Sequence, residues 1–203
     1  MEVTEEERKM SNRIITISRE FGSGGRTIGK MVAKELNIPC YDNTILEKLA
    51  EESGFTKEYI KEQSEYAQHP AWFMNTLLNR NGNTMSNQDY LWIIQQKLIQ
   101  DLADKGPCVI VGRCADYILR DRHDLLKVFI HADNEFRAKR IVDVYGSTEI
   151  PTDKRLADKD KKRKSYYQYY TDTEWGVASN YHIALDSGKI GIQRCADIIT
   201  GLF

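Results

Sequence analysis

Three glycines, Gly22, Gly24 and Gly25, stand beside Ser23 and Thr27, directly behind the β-branched run Arg13-Ile-Ile-Thr-Ile-Ser18. Beyond them Ile28, Met31, Val32 and Leu36 keep helical spacing, so the loop opens a helix. A glycine-rich turn between a strand and a helix exposes backbone N–H groups, and the start of the helix adds a partial positive charge. Phosphate binding is the chemistry this arrangement offers. A tight turn would use such glycines too, but three of them with Ser23 and Thr27 exceed what a turn needs. Arg19 opens the segment and Arg26 closes it, both permanently charged forks suited to phosphate oxygens.

The elements that must hold this loop follow from pattern. Ile38-Pro-Cys-Tyr-Asp42 reads as a second short strand, with Asn43 capping a helix through Leu49 and a further helical stretch near 56–67. Residues 69–87 are rich in breakers, and Trp72 and Phe73 there are candidates to line a pocket or a small core. A longer helix carries Leu91, Ile94, Leu98 and Leu102 and ends at Gly106-Pro107. Cys108-Val-Ile-Val-Gly112 and Leu125-Leu-Lys-Val-Phe-Ile130 are unbroken apolar runs of the kind found in central parallel strands. Asn134–Tyr145 is helical by pattern, His182–Asp186 is a last strand, and a closing helix spans Ile190 to Phe203. The segment 151–172 is different, a dense charge run that leads into Ser165-Tyr-Tyr-Gln-Tyr-Tyr170. Strands alternating with helices predict an α/β fold, a mostly parallel sheet covered on both faces.

Composition excludes several functions. The chain has 203 residues, with 41% hydrophobic and 29% charged residues and a net charge of −1. Such a balance is globular, and at roughly 150 residues per domain it favours one domain with insertions. A broad phosphate-reading face for nucleic acid would bring a clear basic excess, so any basic site must be local. No stretch approaches the roughly 18 apolar residues of a membrane span, and the acidic segment Met1–Met10 has no apolar core of a secretory signal. That segment reads as a flexible leader over 1–12. Cys40, Cys108, Cys114 and Cys195 are scattered, without a CxxC pair or metal spacing to a histidine, which favours free thiols in a reducing cytoplasm.

The run from Ile14 to Gly29, with Tyr41-Asp42, Val109-Ile-Val-Gly-Arg113 and Ser165–Tyr170, resembles the cytidylate kinase-like proteins, a divergent branch of the P-loop nucleoside monophosphate kinases. The resemblance implies a three-layer P-loop fold over 13–203: a core at 13–42, 107–146 and 177–203, an acceptor-binding insertion at 43–106, and a helical lid at 147–176. Gly22-Ser-Gly-Gly-Arg-Thr27 matches the GxGKGT ending of those kinases. In that register Thr27 supplies the magnesium hydroxyl, Gly25 stands where the lysine belongs, and Arg19 replaces the opening glycine. A second match, Gly24 to Gly29-Lys30, puts Lys30 a turn inside the helix and Met31 at the hydroxyl position.

By the same resemblance, Arg19, Gly22, Ser23, Gly24, Gly25, Arg26 and Thr27 cradle the donor phosphates, and Arg26 or Arg19 supplies the charge the lysine would have given. Arg113 takes the acceptor phosphate and Asp42 orients the acceptor; either residue also serves simply to start a helix. Thr27 and Asp116 are the magnesium candidates. In the lid Lys159, Lys162 and Arg163 are the cations expected on the transferring phosphoryl, with Arg163 favoured for its fork. Most of that run must still be a solvated helical face. Tyr166, Tyr167, Tyr169 and Tyr170 pack the lid on the core or stack on a base.

The implied activity is a magnesium-dependent transfer from ATP to a small acceptor, a nucleoside monophosphate such as CMP. The alternatives are a nucleotide-binding module with a degenerate loop and a kinase of another small metabolite. Small nucleotides are the expected partners, neither nucleic acid nor membrane, for a cytoplasmic monomer or homodimer.

Overall fold

The computed structural model describes residues 13–42, 44–58, 60 and 86–203. The expectations for 1–12, Asn43, Trp72 and Phe73, and for most of the helix near 56–67, lie outside them.

Five strands form one parallel sheet: β1 (Ile14–Arg19), β2 (Cys40–Tyr41), β3 (Cys108–Val111), β4 (Leu125–His131) and β5 (Ile183–Asp186), in the order β2-β3-β1-β4-β5. β1 lies at the centre, with Ile14 to Ile17 paired to Cys108–Val111 on one side and Ile14 to Arg19 paired to Leu125–Ile130 on the other. A strand flanked on both edges and covered on both faces is largely apolar, and Ile14, Ile15 and Ile17 are buried together with the small polar Thr16 and Ser18.

The alternation of side chains divides these residues between two cores. Ile14, Ile110 and Leu125 face α2 (Thr44–Ser53), α3 (Asn87–Asp104) and α4 (Ala115–Ile118). Ile15, Ile17, Val109, Val111 and Val128 face α1 (Gly25–Glu35) and α8 (Ile192–Thr200). The sheet is therefore the middle of three layers.

α5 (Asn134–Tyr145) follows β4, capped by Asp133, whose carboxylate accepts the Phe136 N–H at 2.8 Å. α6 (Thr152–Thr171) is the charged segment, a single 20-residue helix. α7 (Ser187–Ile190) follows β5. The closing helix expected from Ile190 onward is divided from this short turn at Gly191, whose φ of 90° breaks the helical path. Cys108, Cys114 and Cys195 are buried and Cys40 partly so, all as free thiols. Burial holds Cys40 up at about 11 and Cys108 at about 12, so both stay protonated at neutral pH.

Candidate functional site

The glycine loop spans the end of β1 and the start of α1, at the carboxyl edge of the sheet where parallel α/β folds place their ligands. Gly22 and Gly24 both have φ of 83°, the left-handed conformation that turns successive N–H groups inward. The first turn of α1 leaves the N–H groups of Gly24, Gly25, Arg26 and Thr27 without partners inside the helix, since the ladder begins with Ile28 donating to Gly24 at 3.0 Å.

The loop is braced from below. Ser23 Oγ lies 2.9 Å from the Glu20 carbonyl and 3.1 Å from that of Ile130, while Ser187 Oγ donates to the Ser23 carbonyl at 2.5 Å. The Glu20 carboxylate accepts the Ala132 N–H at 3.1 Å. A methyl at Gly22 would lie 2.8 Å from the Arg137 carbonyl, and one at Gly24 would collide with Ile192. The loop is thus fixed in shape before any ligand arrives.

Charge gathers above it. Around Arg19 stand the guanidiniums of Arg163, Arg113 and Arg26 and the carboxylate of Asp42. Burial, then the positive charge of Arg163 and Arg113, pushes the Arg19 pKa well below its ordinary value. Arg163 reaches the loop from α6: its Nη1 donates to the Arg19 carbonyl at 2.9 Å, and its guanidinium lies over the Phe21 ring at 5.7 Å. Arg26 turns toward β2, with its Nε 2.5 Å from Asp42 Oδ2, and Lys30 Nζ is 3.9 Å from the same oxygen.

Arg113 lies just past β3, on a run of three residues with positive φ: Gly112 at 79°, Arg113 at 60° and Cys114 at 54°. For the two non-glycine residues this costs about 1–2 kcal/mol each. The buried Gln95 helps hold the turn, its Nε2 donating to the Arg113 carbonyl at 3.1 Å while Tyr166 donates to its Oε1 at 3.4 Å. Beside this turn a small cleft is lined by Leu49, Leu91, Gln95, Arg113, Tyr166 and Tyr170 among others.

The structure thus brings Arg19, Arg26, Asp42, Arg113 and Arg163 together at one edge of the sheet. Lys159, part-buried, sits on α6 one residue before Asp160. Thr27 lies in the first turn of α1, where its hydroxyl accepts Arg140 Nη2 at 2.8 Å. Asp116 is buried behind the loop: Tyr167 donates to its Oδ2 at 2.8 Å and Ser18 to its Oδ1 at 3.4 Å. Burial raises the Asp116 pKa in spite of both bonds. Among the described residues no group of three or more His, Cys, Asp or Glu side chains is placed to hold a metal. The tyrosines of α6 pack: Tyr170 stacks on Trp92 at 4.3 Å and Tyr167 is buried, while Tyr169 stays exposed.

Sequence reasoning missed Asp160, Arg137 and Arg140. Asp160 Oδ1 accepts the Phe21 N–H of the loop at 2.7 Å, and its Oδ2 lies 2.5 Å from Arg137 Nη1. Within the charge run Asp160 looks like any other acid of a solvated face. Arg137 and Arg140 are three apart on α5, which puts them on one helical face, and that spacing was the available signal.

Comparisons with known proteins bear on the family and the fold. The model of the cytidylate kinase-like family matches residues 14–189. A cytidylate kinase of Archaeoglobus fulgidus is 28% identical over 190 residues, covering 91% of each chain. Among solved structures, an uncharacterized protein from Eubacterium ventriosum aligns over 93% of this chain and 96% of its own, with a TM-score of 0.70 and 29% identity. A shikimate kinase from Acinetobacter baumannii, solved with shikimate, aligns over 96% and 94% with a TM-score of 0.52; at 14% identity the likeness is one of fold.

Proposed function

We propose a function from one premise: this chain belongs to the cytidylate kinase-like family. The reading is a kinase that moves the γ-phosphoryl group of ATP to a nucleoside monophosphate, with CMP the first acceptor to try. One observation carries it: four arginines and one aspartate converge where a braced, glycine-rich loop meets the end of β3. Such a cluster fits a polyphosphate facing a second phosphate, and little else of ordinary cellular chemistry carries that much negative charge in so small a space.

In this reading the loop amides and Arg19 hold the donor phosphates, and Arg113 holds the acceptor phosphate. Arg163 closes over both from α6. The acceptor phosphate, largely a dianion near neutral pH, attacks the γ-phosphorus with one of its own oxygens. The bond from that phosphorus to the β-phosphate oxygen breaks, ADP leaves with the electron pair, and no proton need move. The protein supplies position and positive charge rather than a covalent intermediate. Magnesium neutralises donor charge when bound, and Thr27 is the protein hydroxyl that the loop offers to it. Asp116, with its oxygens engaged by Tyr167 and Ser18, joins α6 to the core beside that loop. Arg26 and Asp42 act as a pair that lines the acceptor side.

The test is a coupled ADP-release assay with CMP, dCMP, UMP and AMP. Turnover with CMP above the others supports the assignment. Turnover only with a different metabolite, or ATP binding with no turnover, refutes it. Arg113→Ala should chiefly raise the acceptor KM.

A further inference from the structure

The loop lacks its lysine, yet its neighbourhood is not simply depleted. Gly25, at the lysine position, has no room for a side chain: a methyl there would lie 2.6 Å from Arg19 Cβ and 3.0 Å from its Cγ. Gly112, in sequence far away at the end of β3, is hemmed in by the same residue, since a methyl at 112 would collide with Arg19 Nη1. The Arg19 side chain therefore runs across the head of α1, over one glycine, and ends its course against another. Its guanidinium stops at Gly112, the residue before Arg113. Among the described residues no carboxylate or carbonyl accepts a hydrogen bond from it; Arg163, Arg113 and Arg26 repel it and Asp42 attracts it.

We propose that Arg19 does the work of the missing lysine, binding the terminal phosphate of the donor. Gly25 and Gly112 are the two positions emptied to let it through. The inference rests on the kinase reading above and deepens it. It assigns the charge to the first residue of the loop rather than to Arg26, which is paired with Asp42. It also makes two residues mutually exclusive: with Arg19 in place, no lysine can stand at 25 without displacing it. Burial and the repulsion of Arg163 and Arg113, offset in part by Asp42, make the Arg19 charge unfavourable in the free protein, and an anion beside it relieves that cost. The arrangement is built for a ligand that carries several negative charges.

The experiment is calorimetric titration of the full chain with Mg·ATP and with Mg·ADP, alongside thermal melting. Wild type should bind ATP more tightly than ADP. Arg19→Gln should lose about 10–100-fold in ATP affinity, the worth of a charge-assisted contact, and most of the ATP-over-ADP preference. Its ligand-free melting temperature should be unchanged or raised, because three neighbouring cations lose a like charge. Gly25→Lys alone should melt lower, and Arg19→Gly combined with Gly25→Lys should bind ATP better than Arg19→Gly alone. Unchanged ATP affinity in Arg19→Gln, or a lowered melting temperature with equal losses for ATP and ADP, overturns the assignment. A wild-type chain that binds neither nucleotide overturns the kinase reading itself.

Discussion

Removing the carboxylate of Asp160 tests how the charged helix is held on the loop. Asp160 is 18% exposed and its partner Arg137 only 9%. Asp160→Ala deletes the acceptor of the Phe21 N–H, worth about 1 kcal/mol. It also strands one end of the Arg137 pair, and breaking a fully buried pair costs about 3–5 kcal/mol. Partial exposure reduces that figure, as do the remaining partners of Arg137: the Phe21 carbonyl at 3.2 Å and Asn134 Oδ1 at 2.6 Å, which accept from it, and Glu20 Oε2, an ion-pair neighbour at 3.5 Å. The net loss should be about 2–3 kcal/mol, and for a chain of this size that is about 5–10 °C in melting temperature. Asp160→Asn keeps an oxygen for Phe21 and should recover about a third of the loss. The assay is thermal denaturation followed by circular dichroism, with hydrogen exchange read at the Phe21 amide. A melting point within about 1 °C of wild type, with Phe21 still protected in the alanine variant, would refute the reasoning.

Two further outcomes follow from the geometry. The raised pKa of Asp116 means its ionised form is disfavoured in the folded state, so its contribution is present at acid pH and is lost as pH rises through the raised value. Asp116→Asn, which still accepts from Tyr167, should therefore match or exceed wild-type stability at pH 7, with the gap closing as pH falls toward 4; a gap that widens in acid refutes this. Gly24→Ala places a side chain at a φ of 83° and against Ile192, and urea denaturation should show a loss of at least about 2 kcal/mol, partly restored by Ile192→Val. A Gly24→Ala variant as stable as wild type would remove the packing argument for that glycine.

Most of the framework could be read from residues close in sequence. The apolar runs at Cys108–Val111 and Leu125–His131 and the helix Asn134–Tyr145 are local patterns, and they fold as such. The loop was legible because its glycines, serine and threonine stand side by side. What escaped were the particular contacts between distant segments. That Gly25 and Gly112 both yield to Arg19 requires knowing that β1 and β3 are neighbours in register, Ile17 against Val111. That Asp160 meets Phe21 requires knowing where a long polar helix lies down, and alternating charges carry no such address. Adjacency left both Arg26 and Arg19 as candidates for the charge of the lysine, and the pairing of Arg26 with Asp42 is a contact that adjacency does not reveal.

The charged helix is a stiff rod of 20 residues, about 30 Å long. Leu156 is buried toward one end and Tyr167 and Thr171 toward the other, and Asp160 lies between these seats, seven residues or about 10 Å from Tyr167. At that radius a swing of about 15° carries Asp160 nearly 3 Å, as far as the length of its bond to Phe21. Because Leu156 is seated beyond it, such a pivot unseats that leucine as well, so the grip on Phe21 and the packing of the far turn give way together.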